Sequence, residues 1–152
     1  MRTVRRVRKA PNKQQRRGAA MVEAALCLPL LVVMVLGVVE FGRAQAVSQI
    51  VTNAAHEGAR RAIHDGSSNA EVTQIVNSFL QSALGIDPGN VSVSISVTPA
   101  AGNQDPLNEV ANANTRDLCL VEVYLSFDSV SYVPGHFLGG KDLLGQCAMR
   151  HL

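Results

Sequence analysis

The hydropathy pattern of this chain is dominated by one apolar run near the N-terminus. The run extends from Gly18 to Val39 and contains a single charged residue, Glu23. A helix rises by about 1.5 Å per residue, so a run of this length spans about 30 Å, the thickness of a bilayer hydrocarbon core. We therefore predict a transmembrane helix over residues 19–39, with a kink at Pro29, which has no backbone N–H to donate.

Helical patterning continues beyond the apolar run. Apolar residues recur at intervals of three and four, with polar residues on the other face, which predicts one nearly continuous helix over about residues 20–63. A second amphipathic pattern predicts a helix over about residues 70–84. Ser68 or Asn69 is expected to cap its start, and Gly85 is expected to end it.

The C-terminal part of the chain has the pattern of strands. Residues 91–97 alternate strictly between apolar and polar side chains, and residues 118–127 return to that alternation after a long polar loop over 98–116. Residues 143–152 are predicted to form a last strand. These elements predict an α+β fold in which a small three-stranded antiparallel sheet packs on the helices.

Positive charge is concentrated at the N-terminus. Residues 1–17 hold eight of the fourteen lysines and arginines and none of the twelve acidic residues. Because this basic arm directly precedes an apolar run, the positive-inside rule explains it better than binding to nucleic acid does. We expect the arm to stay in the cytoplasm, the residues after about Phe41 to lie across the membrane, and no nucleic-acid partner.

No catalytic constellation is visible in the sequence. The glycine and histidine patterns of serine hydrolases, zinc proteases, P-loop enzymes and dinucleotide-binding proteins are missing, so we expect no enzymatic activity, small-molecule substrate or cofactor. Cys119 and Cys147 lie in predicted strands. In an oxidising compartment they either form a disulfide or remain two buried thiols. The spacing of cysteines and histidines matches no compact metal site, so no bound metal is expected.

Several short stretches carry a resemblance to a known family. The junction Arg16-Arg17-Gly18-Ala19-Ala20-Met21-Val22-Glu23 resembles the processing site of type IV prepilins. Residues 17–43, which end in Gly37-Val38-Val39-Glu40-Phe41-Gly42-Arg43, resemble a TadE-like pseudopilin of the tight-adherence (Flp-type) pilus system. Residues 53–60 are similar to a second landmark of that family, and the ending Ala148-Met149-Arg150 weakly resembles its C-terminal strand.

The resemblance implies a processing and assembly role. A prepilin peptidase would cut between Gly18 and Ala19 and remove the leader, residues 1–18. The new amine of Ala19 would then pair with the Glu23 carboxylate, between adjacent subunits, since pairing two partly buried charges lowers the penalty for each. The family implies other pilins or pseudopilins and the pilus assembly machinery as partners, in a filament for cell adhesion or secretion.

The expected location follows from the same features. The protein would cross a bacterial inner membrane once, with a cytoplasmic N-terminus and a periplasmic, pilin-like α+β domain over residues 40–152. Two alternatives remain open at the level of sequence. Ala44-Gln45-Ala46 fits the cleavage site of a conventional signal peptide, and an uncleaved signal anchor is a second possibility. Either one would leave a periplasmic domain with a binding or enzymatic activity unrelated to pili.

Overall fold

The computed structural model describes residues 13–132 and 137–152, without the side chains of residues 13–17 and 19. Most of the predicted leader, residues 1–18, therefore lies outside the described residues. The chain divides into two units, Met1–Val38 and Val39–Leu152. Among the described residues, the regular elements, apart from three short 3-10 turns, are the helices α1 (Lys13–Ala62) and α2 (Asn69–Leu84) and the strands β1 (Val91–Thr98), β2 (Leu118–Ser126) and β3 (Asp142–Arg150).

The first helix confirms the prediction of one long helix. Within the described residues it extends from Lys13, the first of them, to Ala62, with Arg60 and Arg61 in its last turn, where positive charge complements the helix dipole. Its second half has a buried apolar face made of small and β-branched residues. The members of that face are Ala44, Val47, Val51, Ala54, Ala55, Ala59 and Ala62.

Local capping chemistry sets the limits of the second helix. The Ser68 side chain accepts the backbone N–H of Glu71, and Gly85 takes a left-handed conformation (φ 68°) just after the last turn. Both caps confirm the sequence prediction. The buried face of α2 consists of Val72, Val76 and Leu80, which places this helix on the same core as the second half of α1.

The three predicted strands form one antiparallel sheet in the order β1-β2-β3. The inward residues of β2 alternate as expected, and Cys119, Val121, Val123 and Leu125 are completely buried. The long first helix, the second helix and this sheet together confirm the predicted α+β class. Buried and more accessible residues alternate along β2. One face of the sheet therefore packs against the helices, and the other lies nearer to solvent.

Two glycines allow close packing around the second half of α1. A Cβ atom at Gly145 of β3 would lie 2.6 Å from backbone atoms of Val51 and Thr52, so β3 passes directly over the backbone of α1. A Cβ atom at Gly58 would lie 2.7 Å from a methyl group of Val76 on α2. Neither position has room for a side chain unless its neighbours move.

The predicted polar loop between β1 and β2 is tied to the domain by side-chain hydrogen bonds. Asp117 Oδ1 accepts the backbone N–H of Ala100 at 2.8 Å and the side-chain amide of Asn103 at 2.6 Å, while Oδ2 accepts the backbone N–H of Asn114 at 2.8 Å. These hydrogen bonds, with that from Ala100 as the strongest influence, lower the pKa of Asp117. Asp117 is thus a central acceptor for both ends of the loop.

Asn69 holds the middle of the same loop. Its side-chain oxygen accepts the backbone N–H of Val110 at 3.0 Å, and its side-chain nitrogen donates to the carbonyl of Asn108 at 2.9 Å. Val110 is buried beside the core. The first residue of α2 therefore fixes a loop that lies about forty residues further along the chain.

Candidate membrane and assembly segment

The apolar side chains in the first half of α1 are exposed. Met21 is 76% and Leu26 is 73% accessible, and the other large apolar residues of the run share this exposure. Within the described residues, one helix is long and apolar enough to cross a membrane, and none of its most apolar stretch is buried in the protein. Such a continuous apolar surface is stable only when lipid or another protein covers it.

Glu23 is an exposed carboxylate within this apolar surface. Since Ala19 and Glu23 are four residues apart in a helix, their backbones lie on the same side of α1 and are separated by about 6 Å along its axis. Gly18 precedes that pair. The structure therefore brings the predicted processing junction and the predicted pairing residue onto neighbouring turns of one helix.

Packing among the described residues does not explain the glycine at position 18. A Cβ atom at Gly18 would meet none of their atoms within 4 Å, in contrast to Gly58 and Gly145. Glycine within a helix is less favourable than alanine by about 1 kcal/mol. Gly18 is therefore an accessible position where the residue type favours the helix less than alanine would.

The Glu40 side chain links α1 to the segment before β3. Although it directly follows the apolar run, it is only 3% accessible. Its Oε1 atom accepts the backbone N–H of Leu138 at 2.9 Å and that of Phe137 at 3.3 Å. Its Oε2 atom is buried and has no hydrogen-bond partner among the described residues.

Arg43 makes a second link one helical turn later. Its Nε–H donates to the carbonyl of Val130 at 3.2 Å, and its guanidinium carbon lies 4.6 Å from the centre of the Tyr132 ring. Sequence reasoning assigned no role to Glu40 or to Arg43. The available signal was their spacing of three residues just beyond the apolar run, which puts both on one side of α1.

The two cysteines outside the apolar run are free thiols in the structure. In the sheet register Cys119 lies opposite Met149, and Cys147 lies opposite Val121, so the cysteines are diagonal neighbours. Diagonal pairs are about 7–8 Å apart, which is beyond the usual reach of a disulfide without backbone movement. The register therefore favours two separate thiols over the disulfide that the sequence left open.

The buried environment of both thiols disfavours the thiolate form. Burial raises the pKa of Cys119 and of Cys147, and the charge of Asp117 adds to the rise at Cys119. The Cys147 sulfur lies 3.2 Å from Nδ1 of His56. In the part of the chain that the structure describes, no three His, Cys, Asp or Glu residues are grouped so that they could hold a metal ion.

Comparison with known proteins gives a family match for most of α1. No curated protein and no solved structure matches this chain. The family model described as "TadE-like protein" matches residues 18–60, which include the exposed apolar half of α1, Glu23, Glu40 and Arg43. This match confirms the resemblance seen in the sequence: over residues 18–60, the chain is similar to the TadE-like proteins.

Proposed function

We propose that this chain is a membrane-anchored pseudopilin that takes part in assembling a tight-adherence pilus or a related secretion filament. The observation that carries the proposal is the exposed apolar half of α1 with one carboxylate, Glu23, within it, inside the segment that matches the TadE-like family. A bilayer would cover this surface in the anchored protein, and neighbouring subunits would cover it in a filament.

Processing would begin at Gly18. A peptidase needs access to the backbone of the bond that it cuts. Gly18 supplies access because it has no side chain, and a Cβ atom there would meet nothing within 4 Å in the described part of the chain. Cleavage after Gly18 would remove the basic leader and place a new amine on Ala19. The protein would then lose the positive charge that holds its N-terminus in the cytoplasm.

Glu23 would then take part in assembly. A carboxylate inside the bilayer core is unfavourable, by up to about 2.5–3.5 kcal/mol at the centre on insertion scales and by less nearer the edge, where Glu23 lies. An ammonium group beside it offsets part of that cost. The amine on Ala19 lies about 6 Å along the axis from the Glu23 backbone of its own chain. A neighbouring chain displaced by about that distance would bring its Glu23 level with the amine, so the pair would also set the stagger between subunits.

The proposed location and partners follow from this role. The protein would cross the bacterial inner membrane once, with residues 40–152 in the periplasm, and would contact the prepilin peptidase first and other pilins or pseudopilins afterwards. Its contribution would be structural rather than catalytic. Two observations support this assignment, namely the exposed apolar helix and the match to the TadE-like family.

The mature N-terminus tests the processing step. Mass spectrometry of the protein from cells that contain the prepilin peptidase should find a chain that begins at Ala19. Gly18→Leu should block the cut, whereas Gly42→Leu, the same change in equally open surroundings on the same helix, should leave it intact. An unprocessed leader in the unaltered protein would overturn the proposal, and a chain that begins at Val47 would show a conventional signal peptide.

A second experiment tests the charge pair. Glu23→Ala should leave membrane insertion intact and abolish co-purification with pilus components. Glu57→Ala removes an exposed carboxylate from the second half of the same helix, and it should change neither membrane insertion nor co-purification. Normal piliation with Glu23→Ala would exclude the pairing role.

A further inference from the structure

The exposed aromatic residues of this protein are grouped in one region. The chain has six aromatic side chains and no tryptophan. Three of the six are exposed, namely Phe41 (58%), Tyr132 (72%) and Phe137 (44%). The other three are buried or half-buried in the domain. An exposed aromatic residue by itself is ordinary, but all three of these are connected to one turn of α1.

Glu40 and Arg43 bring these aromatic residues together. Arg43 stacks on the Tyr132 ring, and Glu40 accepts the backbone N–H of Phe137. Phe41 lies on α1 between the two. The Glu40-Phe41-Gly42-Arg43 motif therefore carries one exposed aromatic residue and contacts the other two.

The position of this turn along the chain indicates what covers the aromatic residues. The apolar run ends at Val39, and residues 40–43 add about 6 Å of helix beyond it. Since a bilayer measures about 30 Å across its hydrocarbon core and about 40–45 Å with its headgroups, each headgroup layer is about 5–7.5 Å thick. The turn that carries Phe41 and Arg43 thus corresponds to the headgroup layer when the apolar run spans the core.

We propose that Phe41, Arg43, Tyr132 and Phe137 form an interfacial patch that rests in the phospholipid headgroup layer. Tyrosine concentrates at this depth, and phenylalanine is one of the apolar residues that interfacial segments bury at the boundary between headgroups and acyl chains. An arginine at this depth keeps its stem in apolar surroundings and its guanidinium near the polar layer. The patch gives the Val39–Leu152 unit a contact with the membrane in addition to its helical anchor. This inference rests on the membrane-anchored role proposed above.

Because the chain has no tryptophan, a single introduced tryptophan reports the surroundings of one site. We would reconstitute full-length Tyr132→Trp into phosphatidylethanolamine–phosphatidylglycerol vesicles that contain lipids brominated either near the headgroup or near the chain end. The shallow quencher should reduce its emission at least about twofold, because this layer is where such side chains concentrate. Phe137→Trp should be quenched to a similar extent. Agreement between the two probes would show that the result is not caused by a local disturbance at position 132.

Two matched variants separate the possible outcomes. Leu107→Trp places the probe at a 79% exposed apolar position in the loop between β1 and β2, and its emission should be water-like and unquenched. Leu31→Trp, within the apolar run, should be quenched by the deep bromine. If Leu31→Trp is quenched while both patch probes resemble Leu107→Trp, the patch proposal falls and the anchor stands.

The remaining outcomes also decide the question. If Leu31→Trp is not quenched either, the anchored role itself falls. If the patch probes emit at short wavelength without lipid quenching, a protein neighbour covers the patch and the lipid contact is excluded. Quenching of Leu107→Trp to the same extent as the patch probes would show general adsorption of the domain and would overturn the proposed specificity.

Discussion

The carboxyl group of Glu40 accepts the backbone N–H of Leu138 at 2.9 Å, across 98 residues of chain. This hydrogen bond joins the first turn of α1 beyond the apolar run to the segment that leads into β3. Because the same oxygen also accepts the N–H of Phe137, one side chain satisfies two consecutive backbone donors. An acid that looks, in the sequence, like the polar edge of a membrane helix is thus a buried part of the domain.

We expect Glu40→Ala to destabilise the Val39–Leu152 unit by about 1–3 kcal/mol, because it leaves two partly buried N–H groups without an acceptor. Glu40→Gln keeps an acceptor oxygen and should cost less. Amide hydrogen exchange of the full chain in detergent micelles would measure both effects at residues 137 and 138. Glu57→Ala, which removes an exposed carboxylate, is the control. Unchanged protection with Glu40→Ala would contradict the link.

Asp117 should make the domain sensitive to acid. Its folded-state pKa is lowered, so its contribution to stability is fully present above the unfolded-state pKa of about 3.9 and is lost as the pH falls through the folded value. Asp117→Asn replaces the carboxylate, which accepts three hydrogen bonds, with a neutral amide that has one acceptor oxygen. This change should lower the melting temperature at pH 7. The difference from the unaltered protein should shrink as the pH falls below about 4.

A control separates this effect from general acid destabilisation. Asp87 is exposed, and its side chain makes no capping hydrogen bond. Asp87→Asn should therefore leave the melting temperature close to that of the unaltered protein at every pH, when both are measured by calorimetry on the full chain in micelles. A difference between Asp117→Asn and the unaltered protein that stayed constant from pH 7 to pH 3 would show that the Asp117 charge is not what stabilises the loop.

The regular elements were predictable because their signals are local. The caps of α2 at Ser68 and Gly85 depend on neighbouring residues. In β2, the alternation of apolar and polar residues in the sequence matches the alternation of buried and accessible residues in the structure. The anchors of the irregular segments were not predictable in the same way. Glu40 with Leu138, and Asn69 with Val110, join residues that are distant in sequence through segments without periodicity. Only the folded chain brings such partners together.

The exact register of the sheet could not be predicted from the sequence either. Alternation assigns Cys119 and Cys147 to one face, but it does not say whether they are directly opposed or diagonal. The exposed first half of α1 presents the reverse case. Its apolar run was predictable, because a membrane-spanning helix is defined by composition along one stretch of chain, whereas the roles of Gly18 and Glu23 stay predictions.

Gly145→Ala should strongly destabilise the domain. The added Cβ would lie 2.6 Å from the backbone of Val51 and Thr52, and a backbone cannot move aside as the end of a side chain can. We expect a cost of about 1–3 kcal/mol or more, measured by urea unfolding of the full chain in micelles. Gly89→Ala, at a position with nothing within 4 Å of its Cβ, is the matched control. Equal stability of the two variants would exclude the close approach of β3 to α1.

Thiol labelling should distinguish the two states of Cys119 and Cys147. In a Cys27→Ala background these are the remaining cysteines. Because burial raises the pKa of both, neither should react quickly with a maleimide in the folded protein near pH 7, and both should react in denaturant without a reductant.

Ser94→Cys adds a thiol at an exposed position of β1, and this thiol should be labelled quickly in the folded state. If Cys119 and Cys147 react only after reduction, a disulfide joins them, and the strands must shift from the observed register to bring the two sulfurs within bonding distance.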